Sequence, residues 1–411
     1  MINLFLVVLD FSGARTYSDE LAFYFSRQEK IKIFQVFLNC KNYKEYTVRK
    51  EENIDFIYFP APTIEKEFDS KYDKSAAMLL HSQFKHLHNV IFHANSPNHY
   101  LFVNSVKKLF NCPLVFTHHF LLDFYSYYDS NAVEKGNIPI ESDELLKSIM
   151  HISDIIICVT EFARRTIVSI YKDVAGEKVV IYNGKAFNLK KQKDNIHEVK
   201  CDYGYNLNDR LILYAGQLER RKGIDKLIMA FLAIKDKHPE IKLVIAGTGE
   251  YDNYFPLAQK CSGRICFTGK LDKNTLTDYY NLAEIGIIPS QFEQCSYVAI
   301  EMMQNKLPLI ISNVPGLNEL VVHGKTGLVC KVKPNKTIPN GLEADEEDLA
   351  VQIEYLLQNK TEAIKLAQTA HECALNKHSL EKMGKETFKI YRKLIGLSYE
   401  EVNSLSISSL A

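Results

Sequence analysis

The chain has no run approaching the ~20 consecutive apolar residues that a membrane-spanning helix needs, which argues against an integral membrane protein. A leader pattern is missing too. Ile2–Leu9 is apolar, but no basic segment precedes it and it ends at Asp10, so it reads as a first strand. No C-x-x-C occurs among the nine scattered cysteines. That disfavours disulfides and structural zinc and points to a reducing, cytoplasmic setting. Neither sign of charge is in excess, with 50 basic and 50 acidic residues, so there is no bulk electrostatic signature of a nucleic-acid partner. D-x-D is absent, as is any His/Asp cluster at metal-ligand spacing, so neither an obligatory metal nor a cofactor is expected. Gly247-Thr-Gly249 lacks the third glycine of a dinucleotide fingerprint, that position being Asp252. With no acidic residue ending the next strand, a dinucleotide oxidoreductase is disfavoured.

What is present is an ordinary globular composition, 46% hydrophobic and 24% charged, in 411 residues, enough for two or three domains. Strand signals at Asn3–Leu9, Ile31–Phe37, Phe56–Phe59, Val90–His93, Pro113–Thr117, Ile155–Val159 and Val179–Ile181 are interleaved with helical patterns such as Tyr17–Phe25, Tyr100–Phe110 and Glu161–Tyr171. A second series starts at Leu211 and runs through KLVIAG, ICFTG, IGIIP, LPLIIS and TGLVC, with helices at Lys226–Lys235, Thr275–Asn281, Tyr297–Gln304 and Glu347–Leu357. Such alternation indicates βαβ units and parallel sheets, hence an α/β fold of two Rossmann-like, doubly wound domains. The expected boundaries are 1–186 for the first domain, 187–208 for a polar, Lys-rich linker without periodicity, 209–379 for the second domain, and 397–411 for a Ser-rich tail.

The stretch Gly286–Met303, GIIPSQFEQCSYVAIEMM, carries the most chemistry. A buried strand ends at Pro289, a polar loop follows, and from about Ser296 the pattern is helical. The first turn of a helix has unpaired N–H groups and the positive end of the dipole, so a phosphate binds there readily. Glu301 lies about 7 Å along the axis from the helix start, and Glu293 sits on the other side of the anion site. A diphosphate with a hydroxylated ring at each end fits that arrangement, which describes a nucleotide sugar. In LYAGQLERRKG, Gly216 and Gly223 mark a strand-to-helix turn with basic residues concentrated at it. Those residues could neutralise a leaving diphosphate without a metal, or form a basic surface loop.

The segment from Glu293 to Glu301 resembles the E-x7-E motif of retaining GT-B glycosyltransferases, above all glycosyltransferase family 4. The resemblance covers nearly all of 211–332 and the first domain loosely. It implies a GT-B architecture, two Rossmann-like domains with an interdomain cleft, and a last helix at about 380–396 crossing back onto the first domain. The partners it implies are a nucleotide-diphosphate sugar and a hydroxyl-bearing acceptor such as a glycan, a lipid-linked sugar, a peptide or a natural product. By resemblance, Glu293 binds the sugar and Glu301 the ribose, while Lys222 and Arg221, with Ser296, Tyr297 and Val298 at the helix start, hold the diphosphate. Gly216 and Gln217 occupy the G-R position of the family, where Gln217 is a departure that Arg220 or Arg221 could make good. Backbone at Lys270 and Leu271 faces the base. Counting from Pro113, His119 matches the active-site histidine, with His118 its neighbour toward the acceptor.

Other features keep two readings. Gly13 follows the first strand, as a phosphate-approaching glycine or an ordinary turn, with Arg15 and Tyr17 nearby as acceptor contacts. His93 ends a strand. Phe124, Tyr125, Tyr127 and Tyr128 form an aromatic platform or a tethered loop. Asn183-Gly184 reads as turn chemistry. A peripheral membrane contact is possible in such a family, but Lys71–His88 is too mixed to indicate one. A nucleotide-sugar epimerase or sugar phosphorylase of the same fold, or a non-catalytic sugar-binding protein, stay open as alternatives.

Overall fold

The computed structural model describes residues 1–8, 12–62, 70–119, 140–187, 196–261, 263–335 and 341–396. In chain order the elements are β1 (Ile2–Val8), α1 (Ser12–Ser26), β2 (Ile31–Cys40), β3 (Thr47–Glu51), β4 (Ile54–Pro60), α2 (Ser70–Phe84), β5 (Val90–Ala94), α3 (Tyr100–Phe110), β6 (Leu114–His118), α4 (Ile140–Ile152), β7 (Ile155–Cys158), α5 (Glu161–Ile170) and β8 (Glu177–Val180). They continue with α6 (Ile196–Asp202), β9 (Arg210–Ala215), α7 (Ile224–Ile234), β10 (Ile241–Ala246), β11 (Ile265–Gly269), α8 (Lys273–Leu282), β12 (Ala283–Ile288), α9 (Tyr297–Gln304), β13 (Leu309–Ser312) and β14 (Leu328–Cys330). The last are β15 (Val332–Pro334), β16 (Leu342–Ala344), α10 (Glu346–Gln358), α11 (Lys360–Lys377) and α12 (Leu380–Leu394). The chain divides into two compact units, Met1–Gly184 with Leu380–Ala411, and Lys185–Ser379.

The first unit holds an eight-stranded sheet in the order β3-β4-β2-β1-β5-β6-β7-β8. All its pairs are parallel except β3 with β4. Central β1 is buried along its whole length, as a parallel strand covered on both faces must be, and so it reads as one apolar run. Phe5 of β1 stacks on Phe34 and Phe92, with centroids 4.3 and 4.8 Å apart, and this aromatic stack spans β2, β1 and β5. The helix α12 packs on α1, where Phe25 meets Tyr391 at 5.4 Å.

The second unit has a six-stranded parallel sheet, β11-β10-β9-β12-β13-β14, and the small antiparallel pair β15-β16. Its core joins Ile212 and Tyr214 of β9, Phe231 of α7, Ile285 of β12 and Leu349 of α10. In both sheets the strand order reverses about the first strand, between β1 and β5 and between β9 and β12. A doubly wound sheet opens its ligand crevice at such a reversal, outside the carboxyl ends of the strands.

Three elements depart from expectation. The 187–208 stretch contains α6, whose Val199 is buried, and Tyr205 beyond it is buried with its hydroxyl 3.3 Å from that of Tyr279. The edge strand β3, TVRKE, and the long helix α11 carry patterns too polar to read as strand or core helix from sequence. Among the described residues no helix is long and apolar enough to cross a membrane.

Candidate functional site

The β9–β12 reversal is where the second unit gathers its charged groups. After β9 the chain passes through Gly216 and Gln217 to a single helical turn, Arg220–Lys222, which ends at Gly223 in the left-handed region, φ 67°. A Cβ on Gly223 would lie 2.1 Å from the Pro289 carbonyl oxygen, so only glycine lets the loops after β9 and β12 meet this closely. The closeness is used: Lys222 Nζ forms an ion pair with Glu293 Oε1, both side chains being about 15% exposed (15% and 14%). Ser290 Oγ donates to the same carboxylate oxygen at 3.2 Å, and Ser312 Oγ at the end of β13 donates to the Ser290 carbonyl. Lys222 has three donor hydrogens and Glu293 several lone pairs, so the pair keeps capacity for a phosphate and for hydroxyls. Ser296 caps α9, its Oγ accepting from the Ala299 N–H at 3.3 Å, and the helix begins with Tyr297 and Val298.

One turn further along α9, Glu301 is held from two sides. Lys185 Nζ lies 2.6 Å from Oε1, and the Tyr280 hydroxyl donates to Oε2 at 2.7 Å. The Lys185 ammonium also sits 5.6 Å from the centre of the Tyr297 ring. Lys185, Tyr280 and Glu301 line a cleft of about 50 Å³ with Lys273, Leu276 and Asn305.

In the first unit the strand ends of β5 and β6 carry a relay of buried hydrogen bonds. His93 Nδ1 is 2.5 Å from the Tyr391 hydroxyl of α12, and Nε2 is 2.6 Å from Thr117 Oγ1. Thr117 donates to the Tyr17 hydroxyl at 3.2 Å, Tyr17 bonds Thr387, and Thr387 donates to the Met383 carbonyl at 2.8 Å. Each donor in this chain has one acceptor only if Tyr391 donates to Nδ1 and the imidazole carries its proton on Nε2. The histidine is therefore neutral, in keeping with burial pushing its pKa down to about 3. Burial lowers His118 to about 4 and His119 to about 3, the latter helped by the neighbouring imidazoles of His118 and His93. Neither ring nitrogen of His118, nor Nε2 of His119, has a hydrogen-bond partner among the described residues.

A pH dependence follows. Unfolded histidine titrates near 6.5, while His93 and His118, both fully buried, resist protonation until about 3 and 4. Below pH 6.5 the unfolded chain binds more protons, so stability is full above that pH and falls as the pH drops toward 4. The loss approaches about 1.4 kcal/mol per pH unit for each ring. Melting midpoints taken between pH 7.5 and 4.5 should be level above 7 and fall by a few degrees per unit below 6; a flat profile would refute the neutral, buried assignment.

With this geometry in view, two family models match the chain: Glycosyltransferase Family 4 over residues 11–185 and Glycosyl transferases group 1 over residues 195–373. The chain belongs to glycosyltransferase family 4. Similar proteins include an uncharacterised glycosyltransferase of Methanocaldococcus jannaschii, 28% identical over 245 residues, 58% of this chain and 59% of that protein. The alpha-D-kanosaminyltransferase of Streptomyces kanamyceticus is 28% identical over 46% of this chain and 47% of its own length. The chain thus spans about half the length of the curated relatives it matches. The fold is GT-B: a sucrose-phosphate synthase from Thermosynechococcus elongatus superposes with a TM-score of 0.76 at 20% identity, covering 97% of this chain and 100% of that one. The HepE protein of Anabaena, in complex with UDP and glucose, superposes with a TM-score of 0.73 at 16% identity, over 96% and 100%.

Against the family 4 pattern, the structure brings Lys222 and Glu293 together and sets Ser296, Tyr297 and Val298 at the start of the helix that carries Glu301. Arg221 is turned aside, its Nε 2.6 Å from Glu219 Oε2, and Arg220 is exposed, as is Gln217. Gly216 and Leu271 are half-buried, Lys270 exposed, and Gly13 exposed in the first turn of α1. Arg15 pairs with Asp19 at 2.8 Å and lies over the Phe37 ring. Tyr17, expected to touch an acceptor, is instead fully buried with its hydroxyl bonded inside the unit; helical spacing from Ser12 turns it toward the strand ends, not outward. Phe124, Tyr125, Tyr127 and Tyr128 lie outside the described residues. Lys185, Tyr280 and Tyr391 gave no local signal, since each acts across a separation that only the fold closes.

Proposed function

We propose that this chain transfers a sugar from a nucleotide-diphosphate sugar to a hydroxyl acceptor, with retention at the anomeric carbon. The observation that carries the reading is the Lys222–Glu293 pair at the β9–β12 reversal, beside the capped start of α9 and one turn from Glu301. The complex of the HepE protein with UDP and glucose, on the same fold, supports a nucleotide-sugar donor.

In this mechanism the acceptor oxygen attacks the anomeric carbon from the face the diphosphate leaves. The bond from that carbon to the phosphate oxygen breaks through an oxocarbenium-like state, and the acceptor's proton passes to the departing phosphate. The products are the new glycoside and a nucleoside diphosphate. Lys222 and the N–H groups of Tyr297 and Val298 at the tip of α9 receive the charge that develops on the diphosphate. Ser296 shapes that tip, Glu293 accepts from sugar hydroxyls, and Glu301 accepts from the ribose. Gly216, Gln217, Lys270 and Leu271 offer backbone to the nucleotide, and Gly13 offers it to phosphate. Arg221 adds charge only by leaving Glu219. His119, kept neutral by burial, gives a lone pair to a sugar hydroxyl rather than acting as a base, and Arg15 faces the acceptor, whereas His118, fully buried in β6, does not reach it. The acceptor class is a glycan, a lipid-linked sugar, a peptide or a natural product.

A thermal-shift screen of nucleotide sugars names the donor. With that donor, nucleoside diphosphate should be released only when an acceptor is present, and the product should keep the donor's anomeric configuration. Release without acceptor, or inversion, would contradict the proposal. Lys222 and the helix tip make a metal unnecessary, so turnover should survive chelation; loss with chelator and recovery with Mn²⁺ would show otherwise.

A further inference from the structure

We propose that Tyr280 and Lys185 are positioning residues that aim the Glu301 carboxylate at the ribose hydroxyls of the donor. This rests on the donor reading above, and it adds two residues from distant parts of the second unit to that site.

Each oxygen of Glu301 takes one strong donor, Lys185 Nζ on Oε1 at 2.6 Å and the Tyr280 hydroxyl on Oε2 at 2.7 Å. A carboxylate gripped at both oxygens cannot rotate, yet each oxygen keeps a lone pair for a further hydroxyl. The Glu301 side chain remains 19% exposed and lines a cleft, so a ligand can reach it. Two hydroxyls on adjacent carbons, as in a ribose, match two fixed acceptors on one carboxylate. The grip is itself built. Tyr280 is 3% exposed, and burial together with the charge of Glu301 pushes its pKa far up, so it stays a donor. Phenylalanine would fill the same space, so the hydroxyl is there for the carboxylate. The main chain of Lys185 is pinned, its N–H donating to the His378 carbonyl at 3.0 Å and its carbonyl accepting from Gln304 Nε2 at 3.1 Å. Gln304 lies three residues after Glu301, on the same face of α9. The helix thus fixes the backbone of Lys185 with one side chain and receives its ammonium on another.

The test is titration calorimetry of the full chain with UDP, GDP and ADP and their 2′-deoxy forms. Wild type, Tyr280→Phe and Lys185→Met are compared, with melting curves confirming that each is folded. Wild type should favour the ribonucleotide. In Tyr280→Phe, which preserves packing, its affinity should fall about 5- to 10-fold while that of the 2′-deoxy form changes less than about twofold; Lys185→Met should do the same or more. An unchanged preference in the folded variants, or an equal loss for both ligands, overturns the assignment. Wild type that binds a diphosphate without preferring ribose overturns it while leaving the donor reading intact. Wild type that binds none of the diphosphates overturns both.

Discussion

Lys222→Ala is expected to lower kcat/KM by about 10²- to 10³-fold, the usual cost of removing a preorganised group that meets charge developing in the transition state. The same change should destabilise the folded protein by about 1–3 kcal/mol, because Glu293, with its side chain only 14% exposed, is left without its counter-charge. Glu293→Ala should act differently. Its carboxylate meets the transferring sugar and not the nucleotide, so turnover should fall by about 10²-fold while affinity for the nucleoside diphosphate changes little. Glu301→Ala should do the reverse, weakening nucleotide binding and sparing turnover. Since Lys222 and Glu293 share one ion pair, the double variant should lose less stability than the sum of the two single ones. Steady-state kinetics with separate binding titrations decides the matter. If Glu293→Ala and Glu301→Ala affect affinity alone and to the same degree, the division of roles is wrong, and if transfer survives both Lys222→Ala and Glu293→Ala, the site is wrong.

Gly316→Ala should be nearly as damaging, although it removes no functional group. Gly316 holds φ at 83°, and a Cβ there would lie 2.3 Å from the carbonyl oxygens of both Glu293 and Gln294. The loop carrying Glu293 has to move. Strain and displacement together should cost about 2–4 kcal/mol of stability. A shift of roughly 1 Å in a reacting group can cost ~10²-fold in rate, so turnover of the folded variant at low temperature should fall on that scale. Gly324→Ala is the control. Its φ is 70°, with nothing within 4 Å of the added Cβ, so it should lose about 1 kcal/mol of stability and keep activity within about twofold. Equal losses in the two variants would show that backbone strain, not the position of Glu293, sets the effect.

How much of this was legible in the sequence follows from the range of each interaction. The strand–loop–helix around Glu293 and Glu301 is local: β12, the capping Ser296 and the apolar spacing of α9 are written within about twenty consecutive residues. The turn ending in Lys222 and Gly223 is local in the same way. Their ion pair is not, because it exists only where β12 lies against β9, a neighbour relation fixed by sheet order and not by any spacing along the chain. Tyr17 misled for a related reason. Its place near Gly13 suggested the surface, but the face of α1 it occupies is covered by α12, whose Tyr391 and Thr387 complete the hydrogen-bond relay from the far end of the chain. The strand β3 escaped because an antiparallel edge strand needs only one apolar face, and Thr47–Glu51 shows barely that. Lys185 drew no reading beside the turn at Asn183-Gly184, since nothing local tells a lysine there that its ammonium will reach a carboxylate on α9.

The most direct test of the central claim is the phosphate dependence of binding. Among UDP, GDP and ADP, the diphosphate that binds wild type most tightly is compared by titration calorimetry with its monophosphate, in wild type and in Lys222→Ala. If Lys222 and the tip of α9 grip a pyrophosphate, wild type should prefer the diphosphate by about 10- to 100-fold, and most of that preference should vanish in the variant. A preference that is the same in both proteins would place the phosphates elsewhere and contradict the account.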